Sequence, residues 1–394
     1  MLSQNWSRLL TAEPWRAGGF GLYIHWPFCQ AKCPYCDFNS HVVKSIDQDR
    51  WARAYLSELD RVAEDTSDRI LGTVFFGGGT PSLMDPKIVD QIMDRIRANW
   101  SLANDFEATM EANPSSVEAY RFQAYRAAGV DRVSLGIQAL NDADLKALGR
   151  LHSADEAKAA LDIAGSTFDR VSFDLIYARQ NQSLTDWEVE LTKALSYGTS
   201  HMSLYQLTIE DGTAFGERFK AGKLRDLPDD DLAADMFELT QTKMNDAGMP
   251  AYEVSNHAKP GQESRHNLIY WRGGDYLGIG PGAHGRITDN GTRYGTETPL
   301  APSVWLTAVE DSGSGQSVKT PITPDEAETE YVMMSLRTSE GTDLARLSPA
   351  LIDSISFKIN SLVDVGLIIQ TDTRISVPAE KRVLLNAILK ELLT

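Results

Sequence analysis

The chain has 394 residues, of which 42% are hydrophobic and 24% charged, a composition typical of a soluble globular enzyme with two or three domains. Its 55 acidic residues outnumber its 38 basic ones, and the net charge of -17 argues against nonspecific attraction to nucleic acid or anionic lipid. No run is apolar enough to cross a bilayer and the N-terminus lacks a secretory signal, so we expect a cytoplasmic protein without a transmembrane segment.

Short β-branched runs alternate with amphipathic helical patterns through the first half of the chain. The runs predict strands at 21–26, 73–78, 106–112, 132–138, 171–177 and 203–209. Helices are predicted at 49–64, 117–129 and 153–165, the last two ended by Gly129 and Gly165 as C-caps. This alternation indicates parallel βαβ units, which build either a barrel or a doubly wound sheet.

Polar residues follow the predicted strands. The strand ends carry the cysteines of 29–36, the glycines of 77–79 with Thr80, and then Glu111, Gln138, Asp174 and Gln206. In a parallel barrel such ends converge on one mouth, whereas an open sheet concentrates ligand groups at one switch point. We therefore predict an α/β fold with a partial (β/α)6 barrel at 19–250, preceded by an N-terminal arm at 1–18.

The pattern loosens after the sixth strand. A helix is predicted at 229–247, and residues 251–310 form a segment rich in histidine, aromatic residues and glycine that we expect to complete the core. Residues 311–321 are interpreted as a linker because serine and glycine dominate their first half.

The remaining residues, 322–394, predict a small α+β winged-helix-like C-terminal domain. Its predicted elements are a helix starting at Thr323 with a Thr323–Glu326 capping box, a second helix at 350–365, a hairpin at 367–377 and a final helix at 379–393. Its seven basic against eleven acidic side chains speak against DNA binding, so we interpret it as a lid or docking module.

The three cysteines of the chain lie within eight positions, at Cys29, Cys33 and Cys36. An odd, clustered set is not typical of disulfides, and three thiolates on one loop can ligate an iron-sulfur cluster that keeps one iron open for another molecule. The alternative is a zinc ion held by the cysteines with His25 or His41. Zinc would not explain the polar residues at the other strand ends, so the cluster is favoured.

This spacing, CxxxCxxC after the first strand with Tyr35 before the last cysteine, resembles the radical S-adenosylmethionine superfamily. The resemblance implies a 4Fe-4S cluster on the three cysteines and S-adenosylmethionine bound at the fourth iron. The GGGTP sequence at 77–81 resembles the family's glycine-rich motif, where missing Cβ atoms let the backbone approach the methionine amino group.

Within this superfamily the chain resembles the subgroup that contains oxygen-independent coproporphyrinogen III oxidase. Together with the strand-end pattern, this likeness makes ten residues candidates for contact with S-adenosylmethionine: Tyr23, Tyr35, Gly78, Gly79, Thr80, Glu111, Gln138, Arg150, Asp174 and Gln206. A carboxylate such as Glu111 can pair with the sulfonium or ammonium, and Arg150 with the ligand carboxylate. A structural role at a strand or helix end is the alternative for Arg150 and Asp174.

Two departures from the oxidase point to the HemW-type heme chaperones of the same subgroup. The oxidase has a further cysteine two places after the third, where this chain has Phe38, and it has a longer arm before the cluster. The chaperones' HNxxYW motif is present at 266–271, which makes His266, Tyr270 and Trp271 candidates for heme contact.

Other residues of this region are weaker candidates. Arg265 and Arg272 could meet heme propionates, and His257 and His284 could ligate the iron. A packed, structural histidine is the alternative for His266. After the fifth strand, Arg179 replaces part of the family's usual Gly-Leu-Pro turn and is predicted to place a cation near the barrel mouth.

The leading hypothesis is therefore a heme chaperone that carries a 4Fe-4S cluster and S-adenosylmethionine and passes heme to an acceptor protein. The enzymatic alternative is radical oxidative decarboxylation of coproporphyrinogen III, with a porphyrinogen as substrate. An iron-sulfur regulator that uses the C-terminal domain on DNA is disfavoured by the acidic balance. The oligomeric state and the acceptor are not determined by the sequence.

Overall fold

The computed structural model describes residues 13–394, so the first twelve residues of the predicted arm lie outside the described residues. Sixteen strands are formed within 13–394: β1 (Phe20–Trp26), β2 (Phe28–Cys29), β3 (His41–Val42), β4 (Ile70–Gly78), β5 (Ser101–Ala112), β6 (Arg132–Gln138), β7 (Arg170–Tyr177), β8 (His201–Gln206), β9 (Asn256–Ala258), β10 (Asp275–Ile279), β11 (His284–Asp289), β12 (Thr292–Glu297), β13 (Val318–Ile322), β14 (Thr342–Asp343), β15 (Ile369–Gln370) and β16 (Arg374–Ser376).

The same residues form thirteen α-helices: α1 (Gln48–Ala63), α2 (Pro86–Asn99), α3 (Ala119–Ala128), α4 (Asp142–Ala147), α5 (Ala154–Thr167), α6 (Leu184–Leu195), α7 (Ala214–Lys220), α8 (Asp230–Asp246), α9 (Arg265–Trp271), α10 (Pro302–Ser312), α11 (Pro324–Ser335), α12 (Pro349–Asp364) and α13 (Leu385–Leu393). Short 3-10 helices lie at Pro14–Ala17, Pro81–Leu83, Pro114–Ser116, Leu344–Arg346 and Ala379–Leu384. None of the helices in this part of the chain combines the length and apolar content needed to span a membrane.

Eleven of the strands in residues 13–394 form one sheet in the order β13-β12-β11-β10-β1-β4-β5-β6-β7-β8-β9. The six predicted strands are confirmed as β1 and β4 to β8, which pair in parallel, although β8 ends at Gln206 rather than at 209. Six of the seven residues of β1 are buried, as expected for a parallel strand covered on both faces.

The sheet curls into a partial barrel. Side chains from β1 and β4 to β9 line one common cavity, which a flat sheet of this width could not enclose. The fold is thus an α/β core with a mostly parallel sheet, followed by a C-terminal domain.

The helices agree with the predicted pattern except at the C-terminus of α5 and in the final helix, where residues 379–384 form a 3-10 helix and α13 begins only at Leu385. Gly129 ends α3 in a left-handed conformation with φ 107°, as predicted. The prediction of a C-cap at Gly165 was wrong, because α5 continues to Thr167 and ends at the extended Phe168. The additional residues bring the Phe168 ring to the core, where it packs edge-on against Phe122 at 5.3 Å.

The segment 251–310 builds the other side of the sheet. Its strand β10 pairs in parallel with β1, and β11 and β12 continue the sheet in antiparallel fashion. The predicted linker was wrong in its second half, since β13 pairs with β12. Four of the five residues of β13 are exposed, so this edge strand lacks the buried alternation by which a strand is recognised in sequence.

The C-terminal domain has its own apolar core, to which α11, α12, α13 and the β15–β16 hairpin contribute. The predicted capping box of Thr323 and Glu326 begins α11. Contacts with the core domain include the Arg272–Glu340 ion pair and a hydrogen bond of 3.1 Å from Arg382 Nη1 to the carbonyl oxygen of Ala251.

Candidate cofactor site

The carboxyl ends of the parallel strands converge on a cavity of about 140 Å³. Eleven residues predicted from the sequence line it: Cys29, Cys33, Tyr35, Cys36, Gly78, Gly79, Thr80, Glu111, Gln138, Arg150 and Asp174. They come from β2, β4, β5, β6 and β7 and from the loops that follow these strands. The fold therefore brings together residues that are spread over roughly 150 positions of sequence, as a barrel mouth does.

The cysteine loop presents its three thiols to this cavity, each of them partly exposed. Cys29 ends β2, which pairs with β3, and the Cys36 amide donates to the Cys33 carbonyl at 3.1 Å to form a turn. Burial raises the pKa of the Cys29 and Cys36 thiols. A bound cation would act in the opposite direction, because positive charge beside a thiol favours the thiolate.

Polar neighbours approach each sulfur. Thr80 Oγ1 lies 3.4 Å from Cys29 Sγ, and Arg150 Nη1 lies 3.3 Å from Cys33 Sγ. Ser40 Oγ is 3.9 Å from Cys36 Sγ. Hydrogen bonds and a guanidinium stabilise thiolate charge, so this environment suits cysteines that ligate a cluster.

The zinc alternative does not fit the geometry. His25 Nδ1 lies 3.0 Å from Tyr23 Oη and its Nε2 lies 2.9 Å from the Asn39 carbonyl oxygen, so neither ring nitrogen is free to ligate. His41 Nε2 is 3.0 Å from Asn39 Oδ1.

The glycine-rich turn after β4 forms the floor beside the cysteines. Gly78 has φ 109°, and its amide donates to Glu111 Oε2 at 3.2 Å. A Cβ on Gly79 would lie 2.7 Å from the carbonyl oxygen of Phe28, the residue before Cys29. Gly79 is thus required for the turn to pack against the cysteine loop, in addition to the ligand approach predicted for this motif.

Two acidic side chains share the cavity. Burial and, to a smaller extent, the neighbouring Asp174 together raise the pKa of Glu111 to about 8. Burial likewise raises the pKa of Asp174 to about 6, although Ser203 and Ser134 donate hydrogen bonds to it. Neither carboxylate forms an ion pair within the described residues, so together they suit a positively charged ligand.

Arg150 and Gln138 also have unusual environments. Arg150 Nη2 donates to the Gly136 carbonyl at 2.6 Å, while its buried Nε has no partner in the described part of the chain. Gln138 ends β6 with φ 76°, a left-handed conformation that is uncommon outside glycine and clusters at functional sites. Three thiols, two carboxylates and an incompletely bonded guanidinium fit a 4Fe-4S cluster with S-adenosylmethionine beside it.

Two predicted contacts lie elsewhere. Tyr23 points into a neighbouring cavity and bonds to His25, and Gln206 is exposed at the end of β8. Tyr23 faces the barrel interior but lines only this neighbouring cavity, whereas Gln206 alternates with the inward-facing Tyr205 and so points outward. Both residues therefore lie outside the cavity that holds the other eight candidates.

The motif at 266–271 forms α9 beside the neighbouring cavity. His266 is 1% exposed, with Nδ1 2.7 Å from Thr73 Oγ1 and Nε2 2.6 Å from Tyr270 Oη. Burial lowers its pKa to about 3, so the ring is neutral. Tyr270 lines the same cavity, whereas Trp271 does not. Both nitrogens of His266 are occupied, which favours the structural role.

The cations predicted for propionates or for the barrel mouth are paired. Arg265 forms an ion pair with Asp105, and Arg272 with Glu340. Arg179 is 4% exposed and lies between Asp144 and Glu190, each at 2.6 Å. The prediction of a mouth cation at Arg179 was wrong, because acidic groups on α4 and α6 draw it into the interior.

Sequence reasoning missed three residues at or beside the site. Phe38 lines the cofactor cavity with a side chain that is 58% exposed, and Ser134 lines both cavities. Arg132 lines only the neighbouring cavity. Arg132 and Ser134 precede Gln138 on β6 at intervals of two, and this period places all of them on the face that points into the barrel.

Comparison with known proteins agrees with this site. A family model described as the radical SAM superfamily matches residues 23–191. Heme chaperone HemW of Mycobacterium tuberculosis (strain ATCC 25618 / H37Rv) is 36% identical over 378 residues, or 95% of each chain. This chain belongs to the radical SAM superfamily. Membership implies a 4Fe-4S cluster and S-adenosylmethionine.

Further relatives place the chain in the HemN/HemW-like part of the radical SAM superfamily. Heme chaperone HemW of Escherichia coli (strain K12) is 45% identical over 269 residues, which cover 68% of this chain and 70% of that protein. The structure of coproporphyrinogen III oxidase (HemN) from Escherichia coli, described as a radical SAM enzyme, matches with a TM-score of 0.81, covering 99% of this chain and 93% of that one. At 21% identity, this second likeness is one of fold.

Proposed function

We propose that this protein is a heme chaperone that binds heme and passes it to an acceptor protein. The observation that carries the proposal is the likeness to heme chaperone HemW along 95% of both chains. The cysteine cavity supports the accompanying cofactors, a 4Fe-4S cluster and S-adenosylmethionine. The likeness to HemN does not favour the oxidase, because at 21% identity it concerns the fold.

Different residues of the cofactor cavity would bind the cluster and S-adenosylmethionine. Cys29, Cys33 and Cys36 would hold the cluster, which when bound can supply an electron to S-adenosylmethionine. Glu111 and Asp174 face the positive charge of that ligand, and Arg150 balances the negative charge of the thiolates.

Phe38 supports an apolar ligand at the mouth of this cavity. Its ring is 58% exposed at the rim, beside the last cysteine. Val42, which ends β3, and Val43 after it are also exposed. A flat apolar macrocycle such as heme would cover these side chains and remove them from water.

Among the histidines proposed as iron ligands, His284 has the most accessible ring. It is exposed at the start of β11 and its side chain makes no hydrogen bond to any described residue. His257 is 1% exposed and His266 is fully hydrogen-bonded. We therefore favour His284 as the axial ligand.

Heme titration of the cluster-loaded protein under anaerobic conditions tests the proposal. We expect a saturable change of the Soret band, and its absence would refute the chaperone function. A triple variant, Cys29→Ala with Cys33→Ala and Cys36→Ala, is the matched control that shows whether heme binding requires the cluster. A His284→Ala variant should shift the Soret maximum if that imidazole ligates the iron.

Anaerobic incubation with coproporphyrinogen III, S-adenosylmethionine and a reductant tests the enzymatic alternative. We expect no protoporphyrinogen to accumulate. Formation of that product, and its loss in the triple cysteine variant, would instead establish the oxidase.

A further inference from the structure

The interior of the barrel contains a second cavity, of about 220 Å³, beneath the cofactor cavity. Strands β1 and β4 to β9 and helix α9 enclose it. Glu111, Ser134 and Asp174 line both cavities, so the two adjoin at this shared rim. The side chain of Tyr205 lines the lower cavity near the end of β8 and is 41% exposed.

Arg132 is a cation without a hydrogen-bonded partner in this cavity, where the carboxyl groups of Glu111 and Asp174 act on it only through space. It is 3% exposed, and its guanidinium makes no hydrogen bond or ion pair with any residue of 13–394. A buried charged side chain that makes no hydrogen bond requires an explanation, and a ligand that enters the cavity and pairs with it is one.

The neighbouring strand shows how such a charge is normally satisfied. Arg170 lies beside Arg132 in the register of β6 and β7 and pairs with the carboxylate of Glu107. It also donates to the Glu263 carbonyl at 2.8 Å. Glu107 in turn accepts from the Arg265 amide at 3.0 Å. Glu107 is thus satisfied by Arg170 and by the Arg265 amide, and within the described residues it forms no ion pair with Arg132.

Other groups of the cavity suit a short acidic arm. The Asn267 side-chain amide makes no hydrogen bond within the described residues and can donate beside the guanidinium. The rings of Phe75 and His266 are stacked at 5.1 Å and form an apolar wall. The volume is below the roughly 300–1,000 Å³ of pockets that enclose whole drug-sized ligands, so the cavity admits an arm rather than a macrocycle.

We propose that Arg132, assisted by Asn267, binds a carboxylate group inside the barrel, next to the cofactor cavity. A guanidinium can hold a carboxylate by two parallel hydrogen bonds. The carboxylate comes either from a free short-chain acid or from a propionate arm of a tetrapyrrole, and the second source rests on the function proposed above. Arg132 is thus a better candidate for a propionate contact than Arg265 and Arg272, whose charges are already paired.

The shared rim couples this site to the cofactor. The Asp174 carboxylate opposes an anion on Arg132, unless a cationic ligand in the upper cavity balances its charge. S-adenosylmethionine should therefore tighten carboxylate binding, and carboxylates should tighten S-adenosylmethionine binding by the same factor.

Binding measurements on the anaerobic, cluster-loaded protein with S-adenosylmethionine present test the proposal. Glutarate is titrated by calorimetry, and heme and heme dimethyl ester are titrated by the Soret band. Arg132→Gln should weaken glutarate binding roughly tenfold or more, because a charge-assisted pair is lost. Arg126→Gln, which removes an exposed cation paired with Asp169, is the matched control and should bind like the natural protein.

The glutarate and heme titrations distinguish the two sources of the carboxylate. If the propionate is the ligand, Arg132→Gln also weakens heme binding and the dimethyl ester binds the natural protein no better than heme binds the variant. If only glutarate binding falls, the ligand is a free acid and the carboxylate site still stands. Unchanged affinity for both ligands in folded Arg132→Gln overturns the site.

Two further controls keep these outcomes separable. Should Arg132→Gln fail to fold, Asn267→Leu, which places an apolar side chain in the same cavity from the half-buried face of α9, is read by the same criteria. Failure of the natural protein to bind heme refutes the chaperone function alone, because the glutarate arm does not depend on heme.

Discussion

At the scale of single residues, the chemistry of this protein depends on which buried polar groups have hydrogen-bond or ion-pair partners within the chain. Arg170 and His266 are fully bonded within the described chain, whereas Glu111, Asp174 and Arg132 face cavities without a charged partner in contact. Completed groups stabilise the fold, and incomplete ones are available to ligands. The same residue types therefore serve two purposes within one barrel.

His266 illustrates the first purpose. Replacement by phenylalanine should leave the Soret maximum of the heme complex unchanged, because both nitrogens bond to Thr73 and Tyr270. The free energy of unfolding should fall by about 1–3 kcal/mol, since two buried hydroxyls lose partners. Urea denaturation and heme titration of the variant check the two parts. A lost or shifted Soret band would show that His266 ligates the iron.

Glu111 illustrates the second purpose through pH. Because burial raises its pKa from the ordinary 4.5 to about 8, the folded protein keeps a proton there that the unfolded chain has released. The contribution of Glu111 to the free energy of unfolding is therefore most favourable below about pH 4.5. It is lost as the pH rises from about 4.5 to 8, because the folded protein must then bury an ionised carboxylate.

Glu111→Gln should remove this dependence. In the absence of S-adenosylmethionine, the variant should gain stability relative to the natural protein as the pH rises from 5 to 8. Anaerobic thermal unfolding at several pH values measures the difference between the two proteins. A difference that stays constant over this range would contradict the buried, uncompensated carboxylate.

At the scale of elements, the turn after β4 and the cysteine loop depend on each other. Gly79 packs its α-carbon against the Phe28 carbonyl, and the Gly79 amide donates to the Trp26 carbonyl at 2.7 Å. The turn thereby sets the position of Cys29. Several strands contribute to the cofactor cavity, and these contacts, together with the hydrogen bond of 2.8 Å from the Thr80 amide to the Phe28 carbonyl, align the cysteine loop with the glycine-rich backbone.

A pair of glycine substitutions tests that dependence. Gly79→Ala should lower stability by about 1–3 kcal/mol and reduce iron content, because the new Cβ meets backbone that cannot move away easily. Gly165→Ala is the control, since Gly165 lies inside α5 with open space around its α-carbon. It should raise stability by about 0.5–1 kcal/mol, the usual gain for alanine in a helix. Equal iron content in the two variants would show that the turn does not position the cysteines.

At the scale of the whole molecule, the C-terminal domain supports the segment that carries the motif at 266–271. Arg346 reaches across from this domain, donating to the Arg272 carbonyl at 2.6 Å and to the Pro14 carbonyl at 3.1 Å. Its guanidinium also lies 3.9 Å from the centre of the Tyr331 ring. One side chain thus connects the end of α9, the N-terminal 3-10 helix and α11.

Removal of this connection should destabilise the protein more than removal of a surface ion pair. Arg346→Ala should cost about 1–3 kcal/mol, because it deletes two hydrogen bonds from a charged donor and a cation–π contact. Arg272→Gln should cost about 1 kcal/mol or less, since Arg272 and Glu340 are each 41% exposed. Chemical denaturation of both variants provides the comparison, and equal losses would contradict the role of Arg346.

The sequence by itself determined the repeating elements, the cysteine loop and most of the cofactor cavity. Strand and helix periods are local, and a parallel barrel brings all strand ends to one side, so Cys29, Glu111 and Gln138 could be placed together without coordinates. The exposed edge strand β13 and the continuation of α5 past Gly165 were not predicted from the sequence, because neither has a strong local pattern.

Only the tertiary structure decided which polar groups are already partnered. Arg132, Arg170 and Arg179 are alike in sequence, yet two of them are neutralised by carboxylates and one faces a cavity. The partners come from distant parts of the chain, and the contacts of His266 with Thr73 and of β10 with β1 are equally remote. Such pairings depend on three-dimensional packing rather than on spacing, because the electrostatic and hydrogen-bonding energies involved are set by distances that the sequence does not contain.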